Sequence, residues 1–153
     1  MQPYDERLTV PPSWWVLAIG VGVSMALILF PFGPLASLAG LVAGAALAMM
    51  AVSSYGSARI RVVADSLVAG KARIPLAALG AAEVLDETEA LAWRQYKADP
   101  RAFMLLRSYV PTAVKVTVTD PADPTPYLYL STRWPERLAE ALTEAQERVK
   151  TVR

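Results

Sequence analysis

The stretch Trp14–Phe30, WWVLAIGVGVSMALILF, decides the fold class of this chain. Seventeen residues at about 1.5 Å of rise each reach roughly 26 Å, close to the approximately 30 Å hydrocarbon core of a bilayer. Nine of them are Val, Leu, Ile or Phe, which together favour insertion by roughly 3–5 kcal/mol. The amphipathic Trp14 and Trp15 suit the membrane interface and extend the anchor. Pro31-Phe32-Gly33-Pro34 then ends the helix, because proline lacks a donor and restricts the residue before it. A second apolar span follows from Leu35 to about Val52, with six strong apolar residues among many alanines. Its own drive to insert is weaker, so packing against the first span must support it.

Working outward, residues 13–56 read as a two-helix transmembrane hairpin (spans of about 14–30 and 35–52) between an N-terminal tail, 1–12, and a soluble domain, 57–153. MQPYDERLTV is not the basic leader of a signal peptide, and a second apolar segment follows at once. No charged residue occurs between Arg7 and Arg59. The helix connection is therefore uncharged, while Arg7 precedes the first span and Arg59 and Arg61 follow the second. The positive-inside rule places both termini in the cytoplasm, which makes this a multi-pass protein of the cytoplasmic membrane.

Ala18, Gly22 and Ala26 recur every four residues in the first span, and Ala36, Gly40, Gly44 and Ala48 do so in the second. Small residues at that spacing let helix backbones approach closely. Gly22, Gly40 and Gly44 are thus the helix-packing candidates. Either the two stripes face each other within the hairpin, or they form a seam with a second copy or another membrane protein.

Composition excludes several chemistries. The 153 residues contain no cysteine and no histidine, so disulfides, thiol nucleophiles, Cys/His zinc sites and Ser-His-Asp triads are impossible within the chain. A net charge of +1 with no Lys/Arg block gives no pull toward nucleic acid. No phosphate-cradling glycine loop occurs, since Gly20-x-Gly22 lies inside a span.

From Arg59 the texture changes to short alternating runs. Strands are expected at Arg59–Val63, Leu67–Ala69, Ala72–Pro75, Ala82–Leu85, Phe103–Arg107, Val114–Thr119 and Tyr127–Ser131. Asp86 followed by Glu89 is a capping box for a short helix ending near Tyr96. Pro135 opens a last helix whose Leu138, Leu142, Ala145 and Val149 recur at helical spacing and should seal a sheet. Seven strands closed by a C-terminal amphipathic helix is the order of a pleckstrin-homology-like barrel, with an open antiparallel α+β sheet as the alternative.

Three segments carry a family resemblance: Tyr4-Asp5-Glu6-Arg7-Leu8 ahead of Trp14-Trp15, GKARIP at Gly70–Pro75, and Arg101–Leu142, RAFMLLRSYVPTAVKVTVTDPADPTPYLYLSTRWPERLAEAL. Together they resemble the actinobacterial two-pass membrane proteins catalogued as domain of unknown function 3093, over nearly the whole chain. That pattern favours Trp near Tyr109 and Leu128, where this chain departs from it. The resemblance implies a membrane location and this architecture, and brings no activity with it.

The candidate binding residues are Arg107, Tyr109, Asp120, Asp123, Tyr127, Arg133 and Trp134. Asp120-Pro121-Ala122-Asp123-Pro124-Thr125-Pro126 is a proline-stiffened loop with Asp-Pro turn starts. Its carboxylates lack the further ligands of a calcium loop, so no metal is expected. Arg107, Tyr109, Lys115, Arg133 and Trp134 flank it in sequence. Either the arginines pair with Asp120 or Asp123 and pin the loop, or the Arg/Tyr cluster binds an anionic head group or a phosphate. Asp86, Glu87 and Glu89 sit at a helix start, where negative charge is favoured for structural reasons.

No catalytic constellation or cofactor motif emerges. The expected function is a non-enzymatic accessory or scaffold protein of the membrane. It would present its small domain to a membrane or cytoplasmic protein partner, with homo-oligomerisation open and no nucleic acid bound. The alternative is a sensor or binder of anionic lipid or a phosphate-bearing ligand.

Overall fold

A computed structural model describes residues 4–151. The chain divides into two compact units: Thr9–Ala58 is one, and the segment up to Leu8 together with the segment from Arg59 is the other.

The first unit is a helical hairpin, α1 (Pro12–Leu29) and α2 (Pro34–Tyr55), joined by a 3-10 turn over Phe30–Phe32. Proline stands in the first turn of each helix, where its missing N–H costs nothing. Gly33 makes the reversal at φ +106°, a backbone conformation that L side chains rarely adopt. Both helices are long and apolar enough to cross a membrane, and only 11% of each span is buried. The core helices of a soluble protein would be mostly covered. Here Val16, Leu17, Ile19, Leu27, Leu35 and Leu47 point outward instead.

What is buried is the pair of small-residue stripes. Ala18, Gly22, Gly40 and Gly44 are covered, and Ala26, Ala36 and Ala48 are partly so. A Cβ on Gly22 would lie 2.8 Å from Leu41 O, and one on Gly40 would lie 2.9 Å from Met25 O. A Cβ on Gly44 would meet the Met25 side chain at 3.0 Å. Ser37 Oγ adds a hydrogen bond to Ala26 O across the helices at 2.9 Å. The stripes face each other inside the hairpin. Trp14 stacks on Tyr55 at 5.6 Å, so one aromatic pair marks the open end of the two helices.

The second unit is α+β, with two four-stranded sheets. The first sheet is a meander of β1 (Asp5–Arg7), β2 (Arg59–Val63), β3 (Ser66–Ala69) and β4 (Ala72–Pro75). Gly70 supplies the positive φ of the β3–β4 turn. The second sheet holds β5 (Leu79–Leu85), β6 (Phe103–Leu105), β7 (Ala113–Val118) and β8 (Tyr127–Ser131), in the order β5-β7-β8-β6. Strand β6 runs parallel to β8 and the other pairs are antiparallel, so this sheet is mixed.

Among the described residues the strands make no closed barrel, and neither a barrel nor a purely antiparallel sheet describes them. The parallel β6 is the reason. It reaches the outer side of β8 through the crossover containing α3 (Glu87–Arg94), instead of continuing a meander. Asp86 caps α3 by accepting from the Glu89 N–H at 2.8 Å, as the capping box requires.

All five residues of β8 are buried. By strand alternation Tyr127 and Tyr129 share one face, packed with Leu85, Ala90 and Ala113 under Trp93 and Met104. Leu128 and Leu130 face the other way. Helix α4 (Pro135–Thr151) contacts β5, β7 and β2, with Leu138, Leu142 and Ala145 buried and Val149 partly so.

The segment read as an N-terminal tail is therefore not simply a tail. Asp5, Glu6 and Arg7 pair antiparallel with Arg61, Ile60 and Arg59, and Leu8 is fully buried.

Candidate functional site

A cleft of about 640 Å³ lies between β1 and the start of α4, and its walls explain how the N-terminal strand is held. Strand alternation sends Glu6 inward and Asp5 and Arg7 outward. Glu6 is only 8% exposed, and a buried carboxylate must be satisfied by donors. Its Oε2 accepts from the Tyr4 hydroxyl at 2.7 Å and from the Thr132 hydroxyl in a short bond. Its Oε1 accepts from the Arg133 N–H at 3.0 Å. Tyr4 and Thr132 are themselves 3.0 Å apart, and the Trp134 N–H donates to Thr132 Oγ1 at 3.1 Å.

Burial pushes the Tyr4 hydroxyl pKa well above its ordinary value; the bond to Thr132 opposes that shift, and the bond and charge of Glu6 add to it. Tyr4 stays a neutral donor, matched to the Glu6 acceptor. A second anchor fixes the end of the strand, where the Tyr109 hydroxyl donates to Leu8 O at 2.8 Å.

The rim of the cleft carries both signs of charge. Arg7, Arg133 and Arg137 stand with Asp5, Glu140 and Glu144, and Trp134 projects among them at 56% exposure.

The seven sequence-derived site residues do not form one cluster. Tyr127 lies at the start of β8 and accepts from the Asp99 N–H at 2.9 Å while meeting Trp93 edge-on at 5.2 Å. Asp120 accepts from the Ala122 N–H at 2.9 Å, and Asp123 accepts from the Thr125 N–H at 2.9 Å. The bonds from Thr125 hold the Asp123 carboxyl below the usual carboxylate range. Arg107 lies at the opposite end of β8, where its N–H donates to Ser131 Oγ at 3.0 Å and its Nη1 donates to Leu106 O at 2.8 Å. Arg133 and Trp134 follow the same end of β8.

The pinning of the loop by arginine is thereby corrected. Among the described residues no ion pair joins Arg107 or Arg133 to Asp120 or Asp123. The cause is topological: the loop enters β8 and the arginines lie at its exit, about 13–17 Å away along five extended residues. The loop is held by its own Asx turns. The Tyr109 hydroxyl is likewise engaged away from the loop, donating to Leu8 O.

Among the described residues no group of three or more acidic side chains is placed to hold a metal ion. Lys115, expected beside the loop, has other partners that the sequence reading missed. Lys115 pairs with Glu83 at 2.8 Å while its Nζ stands 4.1 Å from the centre of the Trp93 ring. Lys115 and Glu83 are cross-strand partners in the β5–β7 register, so strand pairing would have found them.

The network joining Tyr4 and Glu6 to Thr132 links two of the segments that carry the family resemblance. The family described as protein of unknown function DUF3093 matches residues 3–142. The chain belongs to that family. The matched residues include β1, both apolar helices, both sheets and the first part of α4. No curated protein and no solved structure matches the chain at a significant level. In this DUF3093 member Tyr109 anchors the end of β1 and Leu128 is buried.

Proposed function

We propose that this protein is a non-enzymatic accessory or scaffold protein of the cytoplasmic membrane, inserted as a two-helix hairpin, whose small domain docks a protein partner. The observation that carries the reading is Trp134, exposed in a cleft whose rim alternates Arg7, Arg133 and Arg137 with Asp5, Glu140 and Glu144. Trp and Arg are among the residue types enriched at the hot spots of protein–protein interfaces. A mixed-sign rim suits a polypeptide better than an anionic lipid, which would call for a basic pocket.

The membrane placement draws support from the helices and from the β1–β2 register. Asp5 precedes both helices and pairs with Arg61 after them. Such pairing requires the two segments to share one side of a bilayer, which a hairpin of two spans provides. Arg7, Arg59 and Arg61 then favour the cytoplasmic side. Of the pleckstrin-homology-like arrangement, the first-sheet meander and the final helix fit, and the crossover to β6 does not.

The test is mild-detergent purification of wild type, Trp134→Ala and Trp134→Phe, with mass spectrometry of co-purifying proteins and lipids. A protein that is lost with Trp134→Ala and retained with Trp134→Phe, at unchanged stability, supports the scaffold. Binding to anionic liposomes that vanishes with salt and with Arg133→Ala would put the lipid reading first.

A further inference from the structure

Strand β1 is an edge of the first sheet, and its pairing phase shows which backbone groups are unused. The Val62 N–H donates to Tyr4 O at 3.0 Å. With the register sum this fixes, Tyr4–Val62 and Glu6–Ile60 are the hydrogen-bonded pairs, whereas Asp5–Arg61 and Arg7–Arg59 are not. The N–H and C=O of Asp5 and Arg7 therefore point away from β2. Among the described residues they meet no partner. The edge of β5 differs, because it is irregular between Leu79 and Ala82 and Gln146 Nε2 covers the Leu79 and Gly80 carbonyls.

Unused edge groups invite another strand, and short charged edges normally repel one. Here the charges select a particular guest. When Asp5-Glu6-Arg7 is laid antiparallel on a second copy of itself about Glu6, Asp5 of each copy falls opposite Arg7 of the other. Those are also the two residues with outward backbone groups, so the ladder and these two pairs agree on one register; Glu6 falls opposite Glu6 of the second copy, each carboxylate turned inward to its own Tyr4, Thr132 and Arg133 donors. Opposite charges facing each other across strands are favourable, and like charges are not. An isologous contact of this kind closes on itself and gives a dimer.

We infer that β1 is a homodimerisation edge, in which two copies of this chain pair antiparallel through Asp5 and Arg7 to join their first sheets. The two Leu8 residues would stand about 14 Å apart, four residues along the strand and one strand spacing across. The contact shares Asp5 and Arg7 with the rim of the Trp134 cleft, so a protein docked there would compete with it.

Because the chain has no cysteine, disulfide mapping in native membranes tests the register directly. Differently tagged Asp5→Cys and Arg7→Cys chains are co-expressed and the membranes oxidised. In the inferred register the two thiol-bearing positions have Cα atoms about 5.5 Å apart, within bonding range. Copies of the same position stand about 8–9 Å apart, beyond it. The expected result is a cross-linked heterodimer in the mixture, at least about ten times more abundant than homodimers of either variant alone.

A second arm uses charge. Asp5→Arg alone and Arg7→Asp alone should be monomeric by light scattering in detergent, and mixing the two should restore the dimer. Arg7→Asp faces Arg59 across β2, so it is the variant least at risk of misfolding. Absence of a mixed cross-link, equal cross-linking in the single variants, or charge variants that dimerise like wild type would each overturn the inference. Docking at Trp134 is read separately, by the Trp134→Ala and Trp134→Phe comparison with Asp5 and Arg7 unchanged.

Discussion

Glu6 and Thr132, 126 residues apart in sequence, share a short hydrogen bond that ties the first strand to the segment leading into the last helix. The bond makes the chain ahead of the hairpin part of the domain behind it. Removing the carboxylate strands three donors at once: the Tyr4 and Thr132 hydroxyls and the Arg133 N–H. Glu6→Ala should therefore destabilise the α+β unit by about 3 kcal/mol, with Glu6→Gln costing less because its amide oxygen still accepts. Chemical unfolding of the purified protein followed by tryptophan fluorescence measures both. A Glu6→Ala midpoint equal to wild type would show that β1 is dispensable.

Two tyrosines give a pH dependence of known sign. Tyr4 and Tyr129 hold their protons above the ordinary tyrosine value of 10.0, chiefly through burial. Below pH 10 both folded and unfolded chains keep these protons, and their contribution is fully present. Above it the unfolded chain ionises first, so stability falls as pH rises toward the folded pKa values. Unfolding midpoints should thus drop between about pH 10 and 11. Tyr4→Phe, at a cost of about 1 kcal/mol at neutral pH, should flatten that drop. An equally steep decline in the variant would remove Tyr4 as its source.

Much of this architecture was legible because periodicity reports which face is buried. The two spans, α3 with its Asp86 cap and α4 with Leu138, Leu142 and Ala145 are visible in sequence within a few residues. Strand β1 was not, because its inward residue is Glu6, and a polar residue at a core position breaks the apolar alternation that marks a strand. Tyr4, Glu6 and Leu8 do alternate with Asp5 and Arg7, and that was the available signal. The expected pairing of arginines with the loop failed for a different reason. Sequence proximity grouped Arg107, Asp123 and Arg133, yet the parallel β6 sends Arg107 to the end of β8 opposite the loop. Strand direction is a long-range property that no local pattern encodes.

The DPADP loop should consequently behave as an independent element. Asp123→Ala removes an exposed Asx bond and should cost no more than about 1 kcal/mol. Combined with Arg133→Ala, the losses should add within about 0.5 kcal/mol, because the two share no partner. A double-mutant cycle by urea unfolding decides the point. A coupling energy above about 1 kcal/mol would bring back the pinned loop.

The hairpin offers a contrast between packed and open glycines. A Cβ at Gly22 or Gly40 would meet backbone at 2.8 and 2.9 Å, whereas Gly20 has nothing within 4 Å. Gly22→Leu and Gly40→Leu should force the helices apart and lower the yield of inserted, folded protein. The loss should be severe, because the alanine-rich α2 has little apolar drive of its own. Gly20→Leu should be tolerated. Equal yields from all three variants, measured as membrane-extracted monodisperse protein, would argue that the packing seen between α1 and α2 does not control insertion.

The two-span topology can be tested through a single cross-strand bond. Asp5 and Arg61 form a non-hydrogen-bonded antiparallel pair, whose Cα separation of about 4.5 Å falls within the range a disulfide spans. Asp5→Cys combined with Arg61→Cys should form an intrachain disulfide when membranes are oxidised. The bond should appear as a mobility shift on non-reducing gels and vanish with reductant. Single cysteines at Ser57 and Thr151 should resist membrane-impermeant thiol reagents in intact cells, and one at Gly33, in the helix connection, should react. The two readouts answer separate questions. The disulfide reports whether the segments before and after the hairpin share a side, whichever side that is. The labelling reports which side it is. A disulfide with inverted labelling would keep the hairpin and move the domain outside. No disulfide, with Ser57 and Thr151 still protected, would mean that β1 does not pair with β2 in the membrane.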